Sequence, residues 1–80
     1  MIQLIICGPG YEECLALEKA VHKALIHLSM EGHVSHLDIE EAKKQYGAMK
    51  SPALVVNGNV VLQGKTEDQS TIEHILKSYQ

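Results

Sequence analysis

The stretch "CGPGYEEC", residues Cys7 to Cys14, decides how this chain is read. It holds both cysteines of the 80-residue sequence. Before it runs "IQLIIC", residues 2–7, which is β-branched and mostly apolar and reads as a buried strand. After it the period changes. Cys14, Leu17, Val21, Ala24, Leu25 and Leu28 recur at helical spacing, so a helix is expected from Tyr11 to about Met30. Leu15 and Ile26 widen that apolar stripe and predict cover on more than one side. Glu12 and Glu13 suit the positive end of the helix dipole. Gly32 is the expected stop. The cysteines thus flank a strand–turn–helix junction, with "GPG" as the breaker.

The rest of the chain extends this start. "HVSHLD" predicts a second strand over 33–37. Asp38 with Glu41 makes a capping box for a short helix to about Tyr46, ended by Gly47. "SPALVVNGNVVLQG" holds two apolar runs around Asn57-Gly58, a pair suited to the positive φ angles of a type I′ hairpin turn. Ser70 with Glu73 is a second capping-box pattern. It predicts a last helix to about Ser78, with Ile72, Ile75 and Leu76 inward. The order is β-α-β-α-β-β-α. The first strand, first helix and second strand fit a parallel βαβ unit, and the hairpin adds an antiparallel pair. No linker or internal repeat divides residues 1–80, so one α/β domain is expected.

Composition narrows the function. Neither Trp nor Phe occurs, so the core is aliphatic. The formal net charge is −3, with scattered lysines and no arginine, which argues against a nucleic-acid surface. No apolar run approaches the ~20 residues of a membrane span, and the opening residues lack the basic flank of a signal peptide. A cytoplasmic protein is the expectation, with free or reactive cysteines rather than a disulfide framework. His33 and His36 fall on opposite faces of a strand, and His22 and His27 align poorly on a helix. All are read as solvated, with no metal and no cofactor called for. "GPG" lacks what a phosphate loop would need after it, and Glu12 and Glu13 stand where an anion would dock.

Two segments, "IICGPGYEECLALEKAVHKAL" and "YGAMKSPALVVNGNVVLQG", resemble the small redox-active-disulfide, glutaredoxin-like thioredoxins of archaea and bacteria. The resemblance spans nearly the whole chain. It implies a minimal thioredoxin-like fold, a four-stranded mixed sheet with helices on both faces. It also implies a cis Pro52 facing the active-site turn, and a Ser51 backbone that pairs with an extended protein or peptide carrying a thiol or disulfide. Read from the residues alone, Pro52 equally suits the start of an edge strand in trans.

The motif departs from the family at one place. With Gly8 and Gly10 aligned on the family's glycines, Tyr11 stands at the first cysteine of C-x-x-C and Cys14 at the second. The first is the attacking thiol in exchange, and the second resolves the mixed disulfide. A phenol forms no disulfide. Two readings follow. In the first, Cys14 exchanges disulfides alone or with a relocated partner, Cys7, while Tyr11, Ser51 and Pro52 hold substrate. In the second, both cysteines are packed as small hydrophobes and the domain is a non-catalytic module that binds through the Ser51-Pro52 groove. Glu12 and Glu13 disfavour a thiolate beside them, which weighs toward the second. No oligomeric state follows from the sequence.

Overall fold

The computed structural model describes residues 1–8, 12–47, 50–65 and 68–80. Its elements run β1 (Ile2–Cys7), α1 (Glu12–His27), β2 (Gly32–Leu37), α2 (Ile39–Tyr46), β3 (Ala53–Val56), β4 (Asn59–Gln63) and α3 (Gln69–Lys77). The sheet order is β2-β1-β3-β4. β1 pairs parallel with β2 and antiparallel with β3, and β3 pairs antiparallel with β4. This is the β-α-β-α-β-β-α architecture of a small thioredoxin-like fold. The start of α1 expected at Tyr11 lies outside the described residues.

Alternation along the central strands sorts the core into two layers. Ile2, Leu4 and Ile6 of β1 and Leu54 and Val56 of β3 face α1 and α3. There they meet Leu17, Val21, Ala24, Leu25, Ile72 and Leu76. Cys7, Ala53 and Val55 face the other way, onto Ala42 of α2. All four residues of β3 are buried, as a strand covered on both faces requires. The Asn57-Gly58 turn closes the hairpin, and the Asn57 side-chain oxygen accepts from the Gln3 N–H at 2.8 Å.

Helix ends differ from the expectations in three places. α1 stops at His27, not Met30. Its C-terminus is a Schellman motif with Ser29, not a glycine, at positive φ (54°). The Met30 N–H bonds to the Leu25 carbonyl at 2.9 Å, and that of Ser29 to Ile26 at 3.1 Å. Gly32 is instead the first residue of β2, where a Cβ would lie 2.7 Å from Leu4 Cδ1 and 3.3 Å from both Ile2 Cγ1 and Leu25 Cδ1. It is kept small by close packing. α3 is capped by Asp68, which accepts from the Thr71 N–H at 3.0 Å, and Ser70 lies inside the helix. The Asp38 cap of α2 and its Gly47 stop are as expected.

Exposure also departs from the pattern. Leu15 and Ile26 do not widen the buried stripe of α1. They are 52% and 78% exposed. Three histidines carry glutamate partners. His36 Nε2 lies 2.8 Å from Glu18, His22 Nε2 3.4 Å from the same carboxylate, and His27 Nδ1 2.8 Å from Glu73. His22 with Glu18 is an i,i+4 pair within α1, which helical spacing contains. Spacing could not reveal the other two, because His36 and Glu73 come from β2 and α3.

Two stability predictions follow from these corrections. Gly32→Ala is expected to cost about 1–3 kcal/mol, as overpacking does where neighbours such as Leu4 are fully buried and have no room to swing away. A lowered urea midpoint with an unchanged slope is the expected readout. Asp68→Ala should lower the thermal midpoint more than Ser70→Ala. The Thr71 backbone N–H, above all, holds the Asp68 carboxyl below its usual range. A lowered folded value means the contribution is present above the ordinary carboxylate range and is lost as pH falls. The gap between the two variants and wild type should therefore shrink in acid.

Candidate functional site

Strand β1 delivers the chain to the site and separates the two cysteines. Cys7 is its last residue, and parity turns it with Ile5 toward α2. It is fully buried, and its Sγ lies 3.9 Å from the Ile5 carbonyl oxygen. Burial first, and the charge Cys14 would carry second, push the Cys7 thiol up from 9.0 to about 11. Cys14 lies in the first turn of α1, on the inward stripe with Leu17 and Val21. It belongs to the opposite core layer. Both cysteines are free and buried. A disulfide needs converging Cβ vectors, and the sheet lies between these two side chains' layers.

Gly8 is the hub of the other residues. Its N–H bonds to the Leu37 carbonyl at 3.0 Å, and its φ is 153°, a conformation that L side chains rarely adopt. A Cβ built on Gly8 would overlap Cys14 Sγ, and would lie 3.3 Å from Ser51 Cβ and 3.8 Å from Pro52 Cα. The missing side chain at Gly8 therefore makes the space that the Cys14 sulfur fills, a space that Ser51 and Pro52 also border. The Ser51–Pro52 peptide bond is cis. Pro52 is buried and Ser51 is exposed. The Pro52 carbonyl accepts from the Gly64 N–H at 3.0 Å, which ties the loop to the end of β4.

Of the residues the sequence singled out, Gly8, Cys14, Ser51 and Pro52 are brought together, and the Cys7 thiol is turned away from them. Gly10 and Tyr11 lie outside the described residues. Sequence reasoning took Gly8 as a turn residue and missed its second role as a spacer for sulfur. No local signal carries that role, because it depends on residues 14, 51 and 52 at once. Among the described residues, no group of three or more His, Cys, Asp or Glu is arranged to hold a metal ion. Also among them, no helix is long and apolar enough to cross a membrane.

Comparison with known proteins bears on the family and the fold. The family model described as "Thioredoxin domain" matches residues 2–77. Among solved structures, the oxidised thioredoxin from Plasmodium falciparum, determined in solution, superposes with a TM-score of 0.65. The alignment covers 98% of this chain and 80% of that one at 12% identity, a likeness of fold. No curated protein matches the sequence.

The raised Cys7 value sets a pH window. Between 9.0 and about 11 the unfolded chain releases this proton while the folded chain keeps it. The unfolded state then binds fewer protons, so stability falls as pH rises through the window. Urea titrations across it should show this loss in wild type and a shallower one in Cys7→Ala. Parallel curves for the two proteins would contradict the assignment.

Proposed function

This chain belongs to the thioredoxin domain family, and we propose that it is a small redox protein with an altered active-site turn, exchanging disulfides through Cys14 alone. The observation that carries this reading is the contact of the Cys14 sulfur with Gly8, itself against Ser51 and Pro52. A thiol beside an exposed loop residue is the arrangement that lets an extended partner segment pair with backbone while its disulfide meets sulfur. The family resemblance assigns Tyr11 a part in holding the bound segment.

The step balances as follows. Cys14, as thiolate, attacks one sulfur of a disulfide in a protein or peptide partner. A mixed disulfide forms, the partner's own S–S bond breaks, and its departing sulfur takes up the proton that Cys14 gave away. The usual second stage is lacking. Tyr11 forms no disulfide, and Cys7 sits in the other core layer with a raised pKa. An external low-molecular-weight thiol must therefore attack the mixed disulfide and regenerate Cys14. A reducing compartment such as the cytoplasm fits this need.

A second reading is favoured by one observation, that Cys14 is only 3% exposed. If the sulfur never meets a partner, the domain is a non-catalytic module that binds extended segments at Ser51-Pro52.

Intact mass after incubating the native protein with excess glutathione disulfide separates the two. One adduct is expected in wild type and in Cys7→Ala, none in Cys14→Ser, with full reversal by a small thiol. Adducts only after denaturation, or an adduct that survives in Cys14→Ser, would overturn the monothiol reading.

A further inference from the structure

The loop carries a charge that neither reading has used. Lys50 immediately precedes Ser51 and is exposed. Its stem lies along the backbone of Gly64, where a Cβ would come within 3.1 Å of Lys50 Cδ, 3.4 Å of Cβ and 3.9 Å of Cγ. Gly64 has φ +81° and also donates its N–H to Pro52, so one glycine anchors both the loop and the lysine stem. A stem laid on backbone leaves the ammonium in water at the rim of the site. Lys50 takes part in none of the ion pairs formed among the described residues, whereas Lys43 and Lys44 each face a glutamate. Glu12 and Glu13 stand in the first turn of α1, beside Cys14. The rim is therefore basic at the Lys50 end and acidic at the Cys14 end.

We infer that Lys50 is a specificity-determining residue that selects partner segments bearing a carboxylate beside the disulfide, an inference that rests on the Ser51 docking reading. An extended segment advances about 3.3 Å per residue, so a side chain next to the reacting cystine comes within reach of a lysine one residue from Ser51. The overall charge of −3 opposes acidic partners at long range. Beyond the ~8 Å Debye length of physiological salt that overall charge is largely screened, which leaves the rim charges, Lys50 at the loop and Glu12 and Glu13 at α1, to act on the segment.

The test uses short unstructured peptides, each with one cysteine activated as a thiopyridyl disulfide and flanked by Glu, Gln or Lys. Mixed-disulfide formation is followed by the released pyridinethione, and each rate is divided by that of mercaptoethanol with the same peptide. Wild type should prefer the Glu peptide over the Lys peptide by about three- to tenfold, the scale of exposed charge pairs. Lys50→Arg should keep the preference, Lys50→Gln lose it and Lys50→Glu reverse it, with added salt flattening all of them. An unchanged preference in Lys50→Glu would overturn the inference. Failure of every peptide to react would instead strike the Cys14 reading. The same peptides with serine for cysteine then decide the role of Lys50 by fluorescence anisotropy. A charge preference in binding that follows the Lys50 variants supports it, and its absence rejects it.

Discussion

β1 lies between β2 and β3, fully covered on the α1 and α3 face and covered toward its Cys7 end on the other, so its residues divide by parity. Ile2, Leu4 and Ile6 enter the layer under α1 and α3, while Ile5 and Cys7 enter the layer under α2. Hydrophobic burial has no direction of its own and could serve either choice. The ladders to both neighbours fix it, because a one-residue slip would turn every side chain to the other face. The same ladder pairs Cys7 with Ala53, and so brings the Ser51-Pro52 end of β3 to the point where β1 stops and Gly8 begins. The separation of the two thiols and the assembly of the site are two consequences of one strand pairing.

The chemistry of the site follows from this division. Cys14 has the loop on its side of the sheet and Cys7 does not. Cys7 is a packing residue in an aliphatic environment that keeps it protonated, and its buried position serves the α2 layer. Cys14 shares its layer with the largest part of the core, so its thiol is structural filler and, of the two cysteines, the one near the loop. On the proposed monothiol reading, such a site would support one covalent exchange and would depend on outside thiols for release. On the same proposal, discrimination among partners would rest on the rim, where Lys50 lies by the loop and Glu12 and Glu13 open α1.

Exposed polar contacts add orientation around this core. His36 with Glu18 links β2 to α1, and His27 with Glu73 links α1 to α3. Both pairs lie at the surface, where ion pairs contribute little to stability. The fold rests on the two apolar layers, and the histidine pairs sit over seams that those layers already close.

The sequence by itself determined the order of elements, the Asn57-Gly58 hairpin and the Asp38 cap. These signals are local: a period, a turn pair or a cap is read within a few residues. Tertiary structure alone decided the rest. Ser70 with Glu73 satisfies the capping-box pattern, yet Asp68 makes the bond to Thr71. Gly32 looked like a helix stop, yet Leu4, Ile2 and Leu25 crowd it as a strand residue. Ser29 ends α1 in a left-handed conformation that composition did not mark. Cys7 and Cys14 look like neighbours across a turn, yet parity sends one side chain to each layer. Gly8, Cys14, Ser51 and Pro52 meet only because β1 and β3 pair across more than forty positions of chain. Contacts of that range depend on which face each element presents, and no window along the chain contains both partners.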